Sequence, residues 1–472
     1  MPHIDFDLVV IGAGAGGLTA ARFAARLGAR VALVERDRIG GDCTWTGCVP
    51  SKSLIRAAKA AHEARASTEL GVEADAVRVD MRRVREYVRR KIAQIYQGTT
   101  PEKLRSEGID VSIGPAAFVD AHALRVGDRE LRAQNFLITT GATPAAPKLA
   151  GIEDVPHFTY HAIFENDRLP PSLVVVGGGP LGAEISQAYR RLGSEVTIVA
   201  PRLLARDDPD ASAVVRRVFE REGIRVVSGR ATSVRRASSG VVVTSDAGEV
   251  TGDALLVAAG RTPNVEGLAL DRAGVRYSAS GIPVDDRLRT SVPHIYAAGD
   301  VLGGEQFSHV AGWQAFEAAR NALLPGSASG RPNPMAWVTF TDPEVAQIGP
   351  TERQAREQLA GRVSVCRWEL THIDRAVCDD DEDGFIKLVT DAGGRVVGAT
   401  IVASRAGELS GEIALAIAKR LTAGDIATAI HAYPTYATAL QQMAGEVATT
   451  NWLASTQGRL VRRLKGFTHA EA

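Results

Sequence analysis

Apolar residues along this chain come in short runs that stop on glycine. Residues 8–11 (Leu-Val-Val-Ile) run straight into Gly12-Ala13-Gly14-Ala15-Gly16-Gly17, a helix-like stretch continues to Leu27, and a second run, 31–35, ends on Glu35. Short runs without polar alternation suit parallel strands covered on both faces. Each glycine has a mechanical reason: Gly12 permits a tight turn, Gly14 lets backbone approach a pyrophosphate, and Gly17 lets helix pack on strand. The pyrophosphate then rests on the helix N-terminus, and Glu35 can accept hydrogen bonds from a ribose 2′-hydroxyl.

The same pattern returns at a constant offset of 165 positions (Gly12 to Gly177, Gly28 to Gly193). Residues 173–176 lead into Gly177, Gly179 and Gly182, and the run 196–199 repeats the one that ends at Glu35. The chain is therefore expected to carry two dinucleotide sites. Ala200 stands where the first copy has its acid, and Arg202 and Arg206 follow. Without the repelling carboxylate those arginines can receive a 2′-phosphate. The first site should hold a nucleotide with a free 2′-hydroxyl, such as FAD, and the second should prefer NADPH over NADH. Two further runs, 136–140 and 255–259, stop at Gly141-Ala-Thr-Pro and Gly260-Arg-Thr-Pro; a third, from Ile295, stops at Gly299-Asp300. These endings place Thr140, Gly141, Gly260 and Asp300 beside the cofactors, as does Gly41 near the first turn.

Between the two repeats, residues 81–105 read as a helix with Val84, Val88, Ile92 and Ile95 on one stripe and arginines elsewhere. From Pro332 the texture changes to strand-like runs (363–368, 385–390, 396–402) and helix-like ones (411–421, 437–447), an α+β module with no phosphate loop. The expected class is α/β, with two Rossmann-like domains plus this C-terminal interface domain. Residues 1–150, completed by 281–331, would bind FAD. Residues 151–280 would bind NAD(P)H, 332–450 would form the interface domain, and 451–472 a basic amphipathic tail.

Length and charge narrow the function. At 472 residues with 55 basic and 55 acidic side chains, the chain has no global field to recruit nucleic acid. Four cysteines do not make a disulfide scaffold, and the start lacks signal-peptide architecture, so a cytoplasmic, reducing setting is expected. Two of the cysteines carry the chemistry. Residues 40–52 read Gly-Gly-Asp-Cys-Thr-Trp-Thr-Gly-Cys-Val-Pro-Ser-Lys, placing Cys43 and Cys48 five apart at a helix start just beyond the first nucleotide unit. Thiols there should be partly ionised. A structural disulfide, two inert core thiols or a redox pair all fit the two residues alone.

Together these motifs resemble the FAD-dependent pyridine nucleotide-disulfide oxidoreductases, over nearly the whole chain. The motifs that carry the resemblance are both fingerprints, Gly-Gly-x-Cys-x-x-x-x-Gly-Cys-x-Pro-Ser-Lys, Ala-Ala-Gly299-Asp300 and Phe340-Thr-Asp-Pro-Glu. The resemblance implies that Cys43 is the interchange thiol, Cys48 the thiol beside the flavin, Lys52 and Glu184 an ion pair near it, and Asp300 a contact to the FAD chain. It also implies a homodimer in which the last module of one subunit completes the active site of the other. Electrons would pass from NADPH through FAD and the sulfur pair to a small acceptor: a disulfide, a metal ion or a quinone.

The pattern breaks near the C-terminus. Disulfide-reducing members carry His-x-His-Pro-Thr and then a glutamate; here the stretch is His431-Ala-Tyr433-Pro-Thr435-Tyr436-Ala-Thr438. Tyrosine is a poor base at neutral pH, so His431 is the candidate substitute, with Tyr433 at the vacated position. Two rival readings stay open: a dihydrolipoamide dehydrogenase with a displaced acid–base residue, and a slow FAD-binding redox sensor. Trp45 stands where the family has a small polar residue. Mercuric reductases carry a C-terminal cysteine pair that this tail lacks, and Cys366 and Cys378 are expected to be buried. The tail offers Trp452, Leu453, Leu460, Val461 and Leu464 on one face against Arg459, Arg462, Arg463 and Lys465, for a dimer contact or, less favoured, a membrane surface.

Overall fold

The structure, a computed structural model, describes residues 3–74, 76–145 and 147–467. Two compact units divide the chain. The first combines Met1–Gly177, Ile185–Pro201 and Val227–Pro332. Its main sheet runs Ile109–Ile113, Val31–Glu35, Phe6–Ile11, Arg129–Ile138, Ala123–Val126, Ala116–Asp120, with Ile295–Ala297 also paired to Arg129–Ile138. Its central strands are parallel, in the register Val9↔Ala32 and Val9↔Phe136. Leu8, Val9, Val10, Leu33 and Phe136 are fully buried, which is why these runs show no alternation. Helix Ala15–Arg26 meets helix Ser308–Leu323 closely, because a Cβ on Gly16 would stand only 3.1 Å from the Ala311 carbonyl oxygen.

A second parallel sheet runs Ile224–Ser228, Glu195–Ala200, Ser172–Val176, Ala254–Val257, beside an antiparallel sheet of Ala231–Arg236, Val241–Ser245 and Gly248–Gly252. The duplication read from the sequence is thus a duplication of architecture. An antiparallel two-stranded ribbon, Ala142–Pro144 against Arg261–Pro263, joins the crossing segments.

The expected helix over 81–105 is broken. Met81–Tyr96 is helical, Gln97–Thr99 is a 3₁₀ turn, and Pro101–Ser106 starts afresh with Thr100 accepting from the Lys103 amide at 3.2 Å. Gly98 and Pro101 make that break. Its arginines are partly spent: Arg85 pairs with Asp167 at 2.8 Å, and Arg89 with Glu165.

The second unit combines Gly178–Glu184, Arg202–Val226 and Asn333–Ala472. Its antiparallel sheet runs Ala336–Thr339, Glu344–Ile348, Val396–Ala403, Phe385–Asp391, Val363–Glu369. Helices Ala406–Ala418 and Tyr436–Ala454 share its core through Ile413, Leu440 and Met443. Against expectation, Cys378 is exposed, and Cys366 is only half-buried, packed against the edge of this core. Inside the unit the Lys387 ammonium, 4 % exposed, meets Asp208 at 3.1 Å, Asp210 at 2.8 Å and Glu352 at 3.2 Å. A buried cation is tolerated only with such partners.

Next to it, Asp207 is buried and accepts a hydrogen bond from Trp337 Nε1 at 2.8 Å. Burial pushes its carboxyl up to about 6. The folded protein therefore holds a proton that the unfolded chain has released once the pH passes the ordinary value of 3.8. Stability must fall as pH rises from about 4 to 6. Asp207→Asn keeps the acceptor for Trp337 and removes the ionisation. It should raise stability at pH 7 by about 3 kcal/mol and flatten this limb of the pH profile, which thermal unfolding at pH 5 and pH 7 will check.

Candidate active site

The two cysteines are placed by glycine. Helix Gly41–Trp45 opens after Gly40, which has φ +115°, and the Gly40 amide donates to the Ala13 carbonyl at 2.8 Å. A Cβ on Gly41 would lie 2.7 Å from Gly14 Cα, so the cysteine segment and the first glycine turn touch backbone to backbone. The turn is just as tight inside: a Cβ on Gly12 would meet the Thr139 oxygen at 2.5 Å, and one on Gly17 the Gly12 oxygen at 1.8 Å. Glu35 Oε2 accepts from the Ala13 amide at 2.8 Å, fixing the acid at the end of its strand.

Cys48 is the first residue of helix Cys48–Ala66, and its Sγ lies 3.3 Å from Ser308 Oγ. Ser308 in turn begins helix Ser308–Leu323, so two helix N-termini converge on this sulfur. Cys43 behaves differently from the expectation of a partly ionised thiol. Its hydrogen bond to Cys48 and its burial drive its pKa upward, against the pull of the Ser308 hydroxyl. No disulfide joins the two cysteines, and their side chains are hydrogen-bonded to each other. Lys52 lies one turn along from Cys48, its Nζ 3.3 Å from Ser51 Oγ. In the second unit Glu184 is buried, and its Oε1 accepts from the Phe340 amide at 3.0 Å.

The second fingerprint repeats the first turn: a Cβ on Gly177 (φ +124°) would stand 2.4 Å from the Ala258 oxygen, whereas Gly179 faces open space. Gly182 is buried in helix Pro180–Leu192. Arg202 and Arg206 are both exposed, and the Arg206 guanidinium lies 5.6 Å from the Trp337 ring.

A polar cluster that the sequence did not announce lies beside the cysteines. Arg261, carried on the ribbon, donates to Asp42 Oδ2 at 2.6 Å and pairs with Asp300 at 3.0 Å. Tyr160 donates to the same Asp42 oxygen at 3.0 Å. Burial raises the Asp300 pKa, and the guanidinium opposes that rise. Arg261 Nε is buried and has no acceptor among the described residues. Thr140 Oγ1 donates to the Asn264 carbonyl at 2.7 Å, Gly141 has φ +71° and Gly260 φ +116°, and together they hold the ribbon in register. The signal was present, in the acid directly before Cys43 and the arginine directly after Gly260, but no spacing rule connects residues so distant in sequence.

Trp45 donates from Nε1 to the Ile39 carbonyl at 2.8 Å, with the Arg38 guanidinium 4.6 Å from its ring and Tyr96 tilted against it at 5.1 Å. These residues line a cavity of about 620 Å³ together with Thr46, Ile92 and His161. In the second unit His431 has both ring nitrogens engaged, Nδ1 with the Ala429 carbonyl and Nε2 with Glu412, each at 2.9 Å. Burial works against its charge, but those two acceptors outweigh it and raise its pKa. Tyr433 is 68 % exposed and donates to Asp374 at 2.7 Å. Thr438 donates to the Ala432 carbonyl at 2.7 Å.

Residues 6–315 match the family model described as pyridine nucleotide-disulphide oxidoreductase, and residues 335–444 match the dimerisation domain of the same family. The chain belongs to the pyridine nucleotide-disulphide oxidoreductases. Relatives include a mercuric reductase of Shigella flexneri, 38 % identical over 450 residues, 91 % of this chain and 78 % of that protein. A dihydrolipoyl dehydrogenase of Geobacillus stearothermophilus is 34 % identical over 457 residues, 92 % of this chain and 94 % of that protein. Among solved structures, LpdA from Mycobacterium tuberculosis superposes with a TM-score of 0.86 at 30 % identity, covering 93 % of this chain and 99 % of that one.

This oxidoreductase is accordingly an FAD-dependent enzyme of a dimer-forming family. The residues present fit FAD. The side-chain-free Gly12–Gly14–Gly17 cradle admits a pyrophosphate, and the acceptor-less Arg261 Nε beside Asp300 calls for an oxygen that phosphate or ribityl would supply. No helix among the described residues is long and apolar enough to cross a membrane. Ser308→Ala removes a donor worth about 1 kcal/mol to the sulfur pair. It should slow alkylation of the reduced pair by iodoacetamide about fivefold, with flavin content unchanged.

Proposed function

We propose that this enzyme takes electrons from NADPH and delivers them through Cys43 and Cys48 to a flat conjugated oxidant of the quinone class. The observation that carries the reading is the state of the acid–base position: Tyr433 donates to Asp374, and His431 has no free nitrogen. Reduction of a disulfide acceptor expels a thiolate and gains roughly 10² to 10⁴ in rate from a positioned acid. A quinone makes no such demand, because the dithiol releases two electrons and two protons and the quinone takes up both. The aromatic cavity beside Trp45 and Thr46, within the segment linking the two cysteines, supports a flat acceptor. His431 is then a scaffold residue and Tyr433 a surface residue that faces the acceptor across the dimer.

Bound FAD supplies a two-electron relay between nicotinamide and sulfur. The chain's own residues do the rest. Gly12, Gly14, Gly17, Gly41 and Glu35 hold the adenine-side half of FAD, and Asp300 with Arg261, Thr140 and Gly141 holds the chain leading to the flavin. Gly177, Gly179, Gly182 and Gly260 form the nicotinamide nucleotide site, with Arg202 and Arg206 for the 2′-phosphate. Lys52 and Glu184 form the charged pair near the reacting edge. Cys48 receives the electron pair under the Ser308 hydroxyl, and Cys43 meets the acceptor.

Anaerobic titration with NADPH should consume roughly four electrons per subunit, two for the flavin and two for the sulfurs. Consumption of only two would remove the sulfur couple from the mechanism. In steady state, quinones should outpace lipoamide and glutathione disulfide, and NADPH should outpace NADH; a faster disulfide would overturn the assignment. Tyr433→His should raise disulfide turnover at least tenfold while leaving quinone turnover unchanged.

A further inference from the structure

The end of the chain lies outside the matched dimerisation domain, which stops at residue 444. The tail was expected to be one amphipathic face from Trp452 onward, but the structure splits it. Helix Tyr436–Ala454 contains Trp452 and Leu453, and Ser455 then caps a new helix, Thr456–Lys465, by accepting from the Gly458 amide at 3.0 Å. This short helix turns its apolar side outward. Leu460, Val461, Leu464 and Phe467 are 55 %, 38 %, 75 % and 68 % exposed. Leu460 and Leu464 stand at i and i+4 on one face of the helix, and the exposed Phe467 follows just past its Gly466 cap. Arg459 and Arg463 run along one flank of the stripe, and Lys465 lies on the other.

The charge is one-sided. Between Glu446 and Glu471 the sequence has no Asp or Glu, although the whole chain balances 55 basic residues against 55 acidic. An apolar stripe between cationic flanks complements a surface that is apolar beneath and anionic above. A second copy of the chain is a poorer match, because in an isologous contact the same arginines and lysine would face one another.

We propose that helix Thr456–Lys465 docks the enzyme peripherally on anionic phospholipid bilayers, with Leu460, Leu464 and Phe467 in the headgroup–acyl boundary and Arg459, Arg463 and Lys465 on the lipid phosphates. The docking is reversible and salt-sensitive, since much of its attraction is screened by ions.

The test uses the full-length flavin-loaded protein and sedimentation with phosphatidylcholine vesicles, with and without phosphatidylglycerol. Pelleting is expected only with phosphatidylglycerol, and it should diminish as salt is raised. The triple variants Arg459→Glu/Arg463→Glu/Lys465→Glu and Leu460→Ser/Leu464→Ser/Phe467→Ser should each lose at least nine-tenths of the pelleted fraction, with flavin content and turnover of a soluble acceptor retained. Failure of the wild type to pellet, or undiminished pelleting of either variant, overturns the proposal. So does conversion of the Leu/Phe variant to monomer in sedimentation velocity, which would assign the stripe to a second copy.

Discussion

The contact on which the site depends is a backbone-to-backbone approach between Gly14 and Gly41. No side chain fits at Gly41, because its first carbon would sit 2.7 Å from Gly14 Cα. That closeness ties the dinucleotide turn to the helix carrying Cys43, and through Gly47 to the helix that Cys48 begins. Where the first glycine turn lies and where the sulfurs stand are therefore one decision, not two. Local energies follow from it: the sulfur pair inherits helix N-termini on both sides, and Asp42 inherits a position against Arg261.

Two cationic side chains in this protein are each held among several carboxylates. Arg261 spans two carboxylates beside the cysteines, and Lys387 spans three in the other unit. The two clusters differ in what they leave over. Around Lys387 all three carboxylates place an oxygen within reach of the ammonium, which suits a structural clamp. Around Arg261 one buried N–H remains unspent, which suits a place awaiting another molecule.

Much of this was legible in the sequence because it is written in local patterns. Residues 8–11 followed by Gly12 and Gly14, repeated from Gly177, announce strand, turn and helix within thirty positions, and the parallel sheets follow from that periodicity. The cysteine motif is equally local. What escaped depends on tertiary neighbours: the upward push on the Cys43 pKa from Cys48 and burial, the ties of Asp42 to Tyr160 and Arg261, and the engagement of both His431 nitrogens. The run over 81–105 misled for a local reason, since its stripe of Val84, Val88, Ile92 and Ile95 hid the glycine and proline that end it.

The ribbon of Ala142–Pro144 and Arg261–Pro263 has a bearing on how this chain can be dissected. Each segment is a crossing between the two parallel sheets, and each is the other's pairing partner, Thr143 opposite Thr262. Cutting out either nucleotide-binding half would leave a bare strand edge and strip Arg261 of its footing. The two halves form a single cooperative object, and genetic fusion or truncation must respect that seam.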